Sequence, residues 1–270
     1  MSPSQSLGFF PAACPVQQSA KITRHMQWFE DEAFWRELYP YLFTERRFAS
    51  APAEVDQVLA LANFQGSAVL DLCCGPGRHA VELAKRGYSV TGVDRTAFLL
   101  ERARERADKA AAAVEWVQQD MRDFARPNAF DLALSMFTSF GYFENPDQER
   151  RVLQNVWRSL RTGGALVMEM AGKERLAKIL SPTTSQEFPD GAILFERHKV
   201  CEDWTRVSND WTLVKGSQAR TFRLDHFVYS GRELKTELLA SGFTDVRLFG
   251  DLLGNPYDAD ALRLVAVARK

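Results

Sequence analysis

No stretch of this 270-residue chain is apolar for long enough to span a membrane. Neither sign of charge dominates: 34 Lys and Arg face 35 Asp and Glu, a net charge of −1. No global field therefore draws the chain to nucleic acid or anionic lipid, and only a local basic patch stays open. Cysteine is sparse. Of Cys14, Cys73, Cys74 and Cys201, two are neighbours in a glycine turn where a structural bridge forms with difficulty, and the set lacks metal-ligand spacing. The expectation is reduced thiols in a cytoplasmic protein, with Cys73 and Cys74 as small packing residues beneath a ligand. The opening "MSPSQSLGFFPAACPVQQSAKITRH" has a short apolar run, no basic start and Pro11 within it, unlike a signal peptide; "PAAC" resembles a lipoprotein cleavage site behind too short a run. Residues 1–26 read as a flexible tail, with Met26 an alternative start.

What is present is an ordinary globular composition, 46% hydrophobic and 26% charged, enough for one large α/β domain or a domain with an insertion. In "WFEDEAFWRELYPYLFTERR", Trp28, Phe34, Trp35, Leu38, Tyr39, Leu42 and Phe43 recur at helical intervals that Pro40 is expected to interrupt. With the amphipathic "SAPAEVDQVLALANF" they make residues 27–65 entry helices and a candidate lid. From Ala68 to Met170, runs such as "AVLDL", "SVTGVD", "VEWVQ", "FDLALSM" and "ALVMEM" alternate with helical stretches, the pattern of a doubly wound parallel sheet with ligands at the strands' carboxyl ends. Gly163-Gly164 reads as the helix stop before the last of these. Residues 66–172 are thus a core. In 173–230, "AILFERHKV", "TRVSNDWTLV" and "RTFRLDHFVY" predict a three-stranded antiparallel insertion, and 231–270 a closing helix with two final strands.

The stretch "VLDLCCGPGRHA" runs from a strand through a tight turn into a helix. Its Gly75-x-Gly77-x-x-Ala80 meets the loose dinucleotide fingerprint, with Asp94 about twenty positions on, where a ribose-binding acid belongs. Spacing alone leaves a nicotinamide enzyme and other nucleotide binders open. Two features argue against a diphosphate: the Asp71 carboxylate just before the turn, and Pro76, which removes a cradling N–H. Both suit a ligand carrying a cationic ammonium or sulfonium, as S-adenosylmethionine does. Asp71, Asp94 and Asp120 close three successive strands. Asp94 can accept from both ribose hydroxyls, and Asp120 from the adenine amine with Met121 beside the ring.

"VLDLCCGPGRHAVELAKRGYSVTGVDRT", "VQQDMRDF", "FDLALSMFTSFGYF" and "NVWRSLRTGGALVMEM" resemble the successive motifs of class I S-adenosylmethionine-dependent methyltransferases, in the branch of small bacterial enzymes with an inserted meander. The resemblance runs from about Trp28 to Lys270. It implies a Rossmann-like seven-stranded sheet whose last strand is antiparallel, S-adenosylmethionine as cofactor and S-adenosylhomocysteine as product. The expected cofactor set is Asp71, Cys73, Gly75, Gly77, Asp94, Arg95, Asp120, Met121, Met136 and Phe137, with Arg46 (or Arg47) pairing the methionine carboxylate. Cys73-Cys74 and Pro76 stand where many members have Gly or Ala before Cys, and Thr or Ser.

Because the sulfonium carries its own leaving group, positioning and water exclusion suffice, and no hydrolytic triad or metal cluster is expected. Tyr142, which in this family lies against the transferred methyl, with His226 and Glu169, are the candidates that touch the acceptor; His198 is a fourth. The acceptor is expected to be a small molecule with an N or O nucleophile. Nucleic acid is disfavoured by the absence of an Asn/Asp-Pro-Pro-aromatic motif after the fourth strand, and "GNPYDAD" reads as a turn. A protein side chain, a nicotinamide oxidoreductase and a cofactor-binding protein without turnover are the alternatives carried. Oligomeric state is not legible.

Overall fold

The computed structural model describes residues 26–270; the expected tail, with Cys14, falls almost wholly outside the described residues. A 3₁₀ turn Trp28–Glu30 leads into α1 (Glu32–Leu42) and α2 (Glu45–Leu61). The core follows as β1 (Ala68–Leu72), α3 (Arg78–Lys85), β2 (Ser89–Asp94), α4 (Ala97–Lys109), β3 (Val114–Gln118), β4 (Phe130–Ser135), α5 (Pro146–Ser159) and β5 (Leu160–Met170). Then come α6 (Lys173–Ile179), β6 (Thr183–Glu187), β7 (Ile193–Cys201), β8 (Arg206–Lys215) and β9 (Gln218–Phe227), and finally α7 (Gly231–Ala240), β10 (Asp245–Phe249) and β11 (Leu264–Arg269).

The main sheet has seven strands in the order β10-β11-β5-β4-β1-β2-β3. β1 pairs β2 and β4 in parallel, and β11 alone runs against both its neighbours, β5 and β10. The strand order reverses at β1, where the chain winds out through β2 and β3 and returns on the other side with β4. That is the crevice where ligands of such sheets bind. The strands read as continuous apolar runs because helices cover both faces, and Val69, Leu70, Leu132, Ala133, Val167 and Val265 are shut from solvent.

The second sheet has four strands, β6-β7-β8-β9, one more than the sequence predicts. The extra strand, "TTSQE", is polar and exposed throughout, and it is held by backbone pairing to β7 alone, so no apolar alternation announces it. Pro40 does not interrupt α1: it sits in the last turn, and the break comes at Phe43. Gly163-Gly164 lies inside β5 rather than before it, since α5 already ends at Ser159. "GNPYDAD" is irregular chain between β10 and β11, as expected. Phe34, Leu38 and Tyr41 of α1 share one apolar cluster with Leu194, Leu213, Phe222 and Leu224 of the four-stranded sheet, so α1 and the insertion are packed as a common layer. Among the described residues, no helix is long and apolar enough to cross a membrane.

Candidate active site

After β1 the chain takes left-handed conformations at Cys73 (φ +57°), Gly75 (φ +54°) and Gly77 (φ +74°). Backbone bonds tie this turn down: the Cys74 N–H donates to the Val93 carbonyl at 3.0 Å, and the Gly77 N–H to the Cys74 carbonyl at 3.0 Å. Asp94, closing β2, accepts from the Gly75 N–H on Oδ2 (3.0 Å) and from the Thr96 N–H on Oδ1 (2.8 Å). The two motif glycines do different things. Gly75 borders a cavity, with only the Phe43 ring within reach of an added Cβ at 3.7 Å, whereas at Gly77 that Cβ would come 2.6 Å from the Trp116 ring.

The cavity, about 300 Å³, opens over the carboxyl ends of β1, β2 and β4. Asp71, Cys73, Gly75, Asp94, Arg95, Asp120, Met121, Met136 and Phe137 line its sheet side. Its other wall comes from the entry helices (Trp28, Phe34, Trp35) and from the inward face of β8 and β9 (Asn209, Trp211, Leu224, His226). Tyr142 stands between, its ring centroid 4.7 Å from Trp28 and 6.0 Å from Phe29.

Burial dominates the electrostatics. Asp71 is 2% exposed, and its Oδ2 has no hydrogen-bond partner among the described residues. Burial pushes its carboxyl up to about 6, against the pull of His79, the Ala80 amide and Arg78. Asp94 is raised for the same cause and held back by its two amide donors. His226 is lowered to about 4 by burial and by Arg206, while burial raises the Tyr142 phenol. These perturbed groups gather in one cavity, which makes it the candidate active site.

Residues 69–164 match the model of a methyltransferase domain. The chain is 24% identical over 256 residues to a protein of Geobacillus sp. (strain WCH70) bearing a methyltransferase name, covering 90% of this chain and 99% of the relative. The S-adenosylmethionine-dependent methyltransferase of Clostridium acetobutylicum superposes with a TM-score of 0.73 at 13% identity, over 88% of this chain and 97% of that one. A sugar N-methyltransferase of Streptoalloteichus superposes with a TM-score of 0.65 at 20% identity, over 96% and 99%. The chain thus carries a methyltransferase domain over residues 69–164 and has the fold of S-adenosylmethionine-dependent methyltransferases.

Most of the residues singled out from sequence meet at one cavity; four stand elsewhere. Gly77 is absent from the lining, because its bare Cα accommodates Trp116 and Ala103. Arg46 is exposed on α2 and outside the cavity lining; the arginines that line it are Arg78, whose guanidinium is paired with Glu54 at 2.7 Å, Arg95 and Arg263. Glu169 lies behind the wall. Its carboxylate accepts from the Phe137 N–H at 2.8 Å and from Arg263 Nε, and its carbonyl takes the Thr138 N–H at 3.0 Å. It thereby braces Phe137 (φ +63°) and Thr138 (φ +57°), two consecutive left-handed residues without glycine's freedom. His198 faces an outer groove and bonds Asn209 Oδ1 at 2.6 Å. Asp120 lines the cavity but is engaged: both oxygens accept from Arg122, at 2.9 and 2.7 Å, and Arg95 Nε stands 3.5 Å away.

Sequence reasoning missed Arg78, Arg263, Asn209 and Trp211. Asn209 carries a readable signal, a polar residue in the column Val207-Asn209-Trp211-Leu213 that β8 turns inward. Arg263 carries none, since only folding brings it beside β5.

Proposed function

We propose that this methyltransferase moves the methyl of S-adenosylmethionine, by direct in-line displacement, onto an amine nitrogen of a small molecule, leaving S-adenosylhomocysteine. The observation that carries the cofactor half is the buried Asp71 Oδ2, which has no hydrogen-bond partner among the described residues and whose burial outweighs the pull of His79 and Arg78. The residues present fit that cofactor. Asp71 would hold its ammonium group, Asp94 its ribose hydroxyls through the second lone pair of each oxygen, and Met121 and Cys73 the adenine face, with Asp120 exchanging part of its Arg122 contact for the exocyclic amine. Arg78 or Arg263, in place of Arg46, would meet the carboxylate, two parallel donors against two oxygens. When bound, the sulfonium supplies an electrophilic methyl and a thioether leaving group.

The chain's own part is positioning and drying. Trp28, Phe34, Trp35, Tyr142 and Trp211 enclose the acceptor side and keep water from competing. Among the described residues, no carboxylate lines the wall formed by the entry helices and β8–β9. His226, held near 4, is a neutral hydrogen-bonding group at neutral pH and a weak base, and the Tyr142 phenol stays protonated. A hydroxyl acceptor needs a stronger base than these, whereas an amine that arrives neutral needs none. The likeness to a sugar N-methyltransferase across 96% of the chain supports the same choice. A cavity of about 300 Å³ walled by aromatic side chains suits a small molecule better than nucleic acid, and the free thiols of Cys73 and Cys74 fit a reducing compartment such as the cytoplasm.

Calorimetry with S-adenosylmethionine, S-adenosylhomocysteine and NAD, followed by transfer of labelled methyl to a panel of matched amines and alcohols, tests the proposal. Binding of both adenosyl ligands and label on amines is expected. Tighter binding of NAD overturns the cofactor assignment, and label on alcohols alone overturns the amine.

A further inference from the structure

Glu149 lies in the first turn of α5, 2% exposed, outside the cavity and outside every motif read from sequence. Its Oε1 accepts from the Phe143 N–H at 2.9 Å and its Oε2 from the Gly141 N–H at 3.2 Å, the amides on either side of Tyr142. The same loop is held from the opposite side. The Phe227 N–H donates to the Gly141 carbonyl at 2.6 Å, and Arg206 Nη1 reaches the Phe143 carbonyl at 3.3 Å. Gly141 sits at φ +99°, and a Cβ there would come 2.5 Å from the Phe227 carbonyl oxygen, so loop and strand meet at backbone contact. Phe227 follows His226. One buried carboxylate therefore braces the loop bearing Tyr142, and that loop is bonded to the strand end bearing His226.

We infer that Glu149 is a positioning residue for methyl transfer: in its ionised form it fixes Tyr142, and through the Gly141–Phe227 bond His226, on the acceptor side of the cavity. The inference rests on the acceptor side proposed above. The chemistry is one of acceptors. A carboxylate offers lone pairs on both oxygens, while a protonated carboxyl has one good acceptor and an O–H that faces an N–H donor to donor. Around Glu149, Arg122, stacked 4.4 Å over the Phe143 ring, and Arg206 of β8 favour the charge. Burial opposes it and wins, so that the group titrates at about 7. Tyr142, Tyr229 after β9 and Cys73 after β1 are the other titratable groups that feel it, and each is itself raised chiefly by burial. Tyr142 is thus held firmly above neutrality and loosely below.

Hydrogen exchange of the free protein tests this without any acceptor. Between pH 8 and pH 6, protection factors of the Gly141 and Phe143 amides are expected to fall about tenfold in the wild type, the loss of one charge-assisted bond. In Glu149→Gln, whose amide can accept from only one of the two, they are expected to be low and flat with pH. Core amides such as Val69 and Val167 report whether the fold is intact. If Glu149→Asp collapses the profile while its core amides keep wild-type protection, the need for both contacts is supported. Wild-type protection with an unchanged pH profile in a folded Glu149→Gln overturns the inference. S-adenosylhomocysteine binding, measured by calorimetry on the same samples, reports separately on the cofactor reading.

Discussion

Replacing Asp71 with Asn separates what the site does for the ligand from what it does to the fold. Burial moves the Asp71 carboxyl from an ordinary 3.8 to about 6, roughly two pH units, or about 3 kcal/mol at 1.36 kcal/mol per unit. The sign follows from proton uptake. Between about 4 and 6 the folded protein binds this proton and the unfolded chain does not, so the group lowers stability as pH rises, and the full penalty of about 3 kcal/mol stands above pH 6. The amide of the Asp71→Asn variant carries no charge and removes that slope, but it buries an NH₂ donor in place of an orphaned oxygen, which costs about 1–3 kcal/mol. Free Asp71→Asn is therefore expected to equal or exceed the wild type by about 0–2 kcal/mol at pH 7.5, and to lose about 3 kcal/mol of the wild type's decline from pH 4 to 7. Its affinity for S-adenosylhomocysteine should fall by roughly 2–4 kcal/mol, with loss of a charge-assisted contact to the ammonium. Wild-type binding at pH 6, measured calorimetrically in buffers of different ionisation enthalpy, should release about half a proton, and the variant none. Urea titrations across pH supply the stability half. Proton release that persists in the variant, or a wild-type Kd in the folded variant, refutes the assignment of Asp71 to the ligand's cation.

Asp94→Ala strands the Gly75 and Thr96 amides, so it should lower stability by roughly 2–6 kcal/mol and weaken S-adenosylhomocysteine by roughly 2–4 kcal/mol; a folded variant with wild-type affinity removes its ribose role. Gly77→Ala drives a Cβ into Trp116 at a positive φ and should cost roughly 2–5 kcal/mol in urea unfolding. An unshifted midpoint contradicts the packing role given to Gly77. Amides of residues 28–47 should gain protection when S-adenosylhomocysteine binds if this segment acts as a lid, and equal protection with and without ligand makes it a fixed wall. Exposed Arg46→Ala should leave affinity unchanged while Arg78→Ala weakens it about tenfold or more; the reverse result restores the carboxylate to Arg46.

The main sheet was legible because its strands are short runs rich in apolar residues, several of them ending near an acid or a glycine, and both helix-covered faces demand such runs. The acids Asp71, Asp94 and Asp120 could be read because β1, β2 and β3 lie side by side in parallel, so their carboxyl ends meet along one side of the crevice. The other half of the cavity was legible only in part: His226 and the aromatic segment from Trp28 could be singled out and do line it. Asn209 and Trp211 reach it because the insertion folds back over the sheet, a relation between distant segments that the alternation along β8 does not specify by itself. Arg46 misled for a related reason: proximity in sequence to an aromatic helix says nothing of which side of α2 faces the cavity. Glu169 was read as a group for the substrate when its carboxylate is spent on the strained Phe137–Thr138 backbone and on Arg263. Gly77 fitted a ligand motif, yet the contact that requires it is with Trp116.

The apolar cluster that joins α1 to the four-stranded sheet has a mechanical corollary. Parting Phe34 and Leu38 from Phe222 and Leu224 would expose a core to water, so the cheaper way to admit a bulky acceptor is to swing the two as one body. Such a body is joined covalently to the rest of the chain at seams near Phe43–Thr44 on one side and near Ala171–Gly172 and Val228–Ser230 on the other, and is tied besides to the Tyr142 loop by the Gly141–Phe227 and Arg206–Phe143 bonds. A door hung from both jambs opens only when its hinges yield together. Stiffening any single seam, by a proline or a crosslink, would then slow entry and product escape alike while leaving the cofactor's floor untouched.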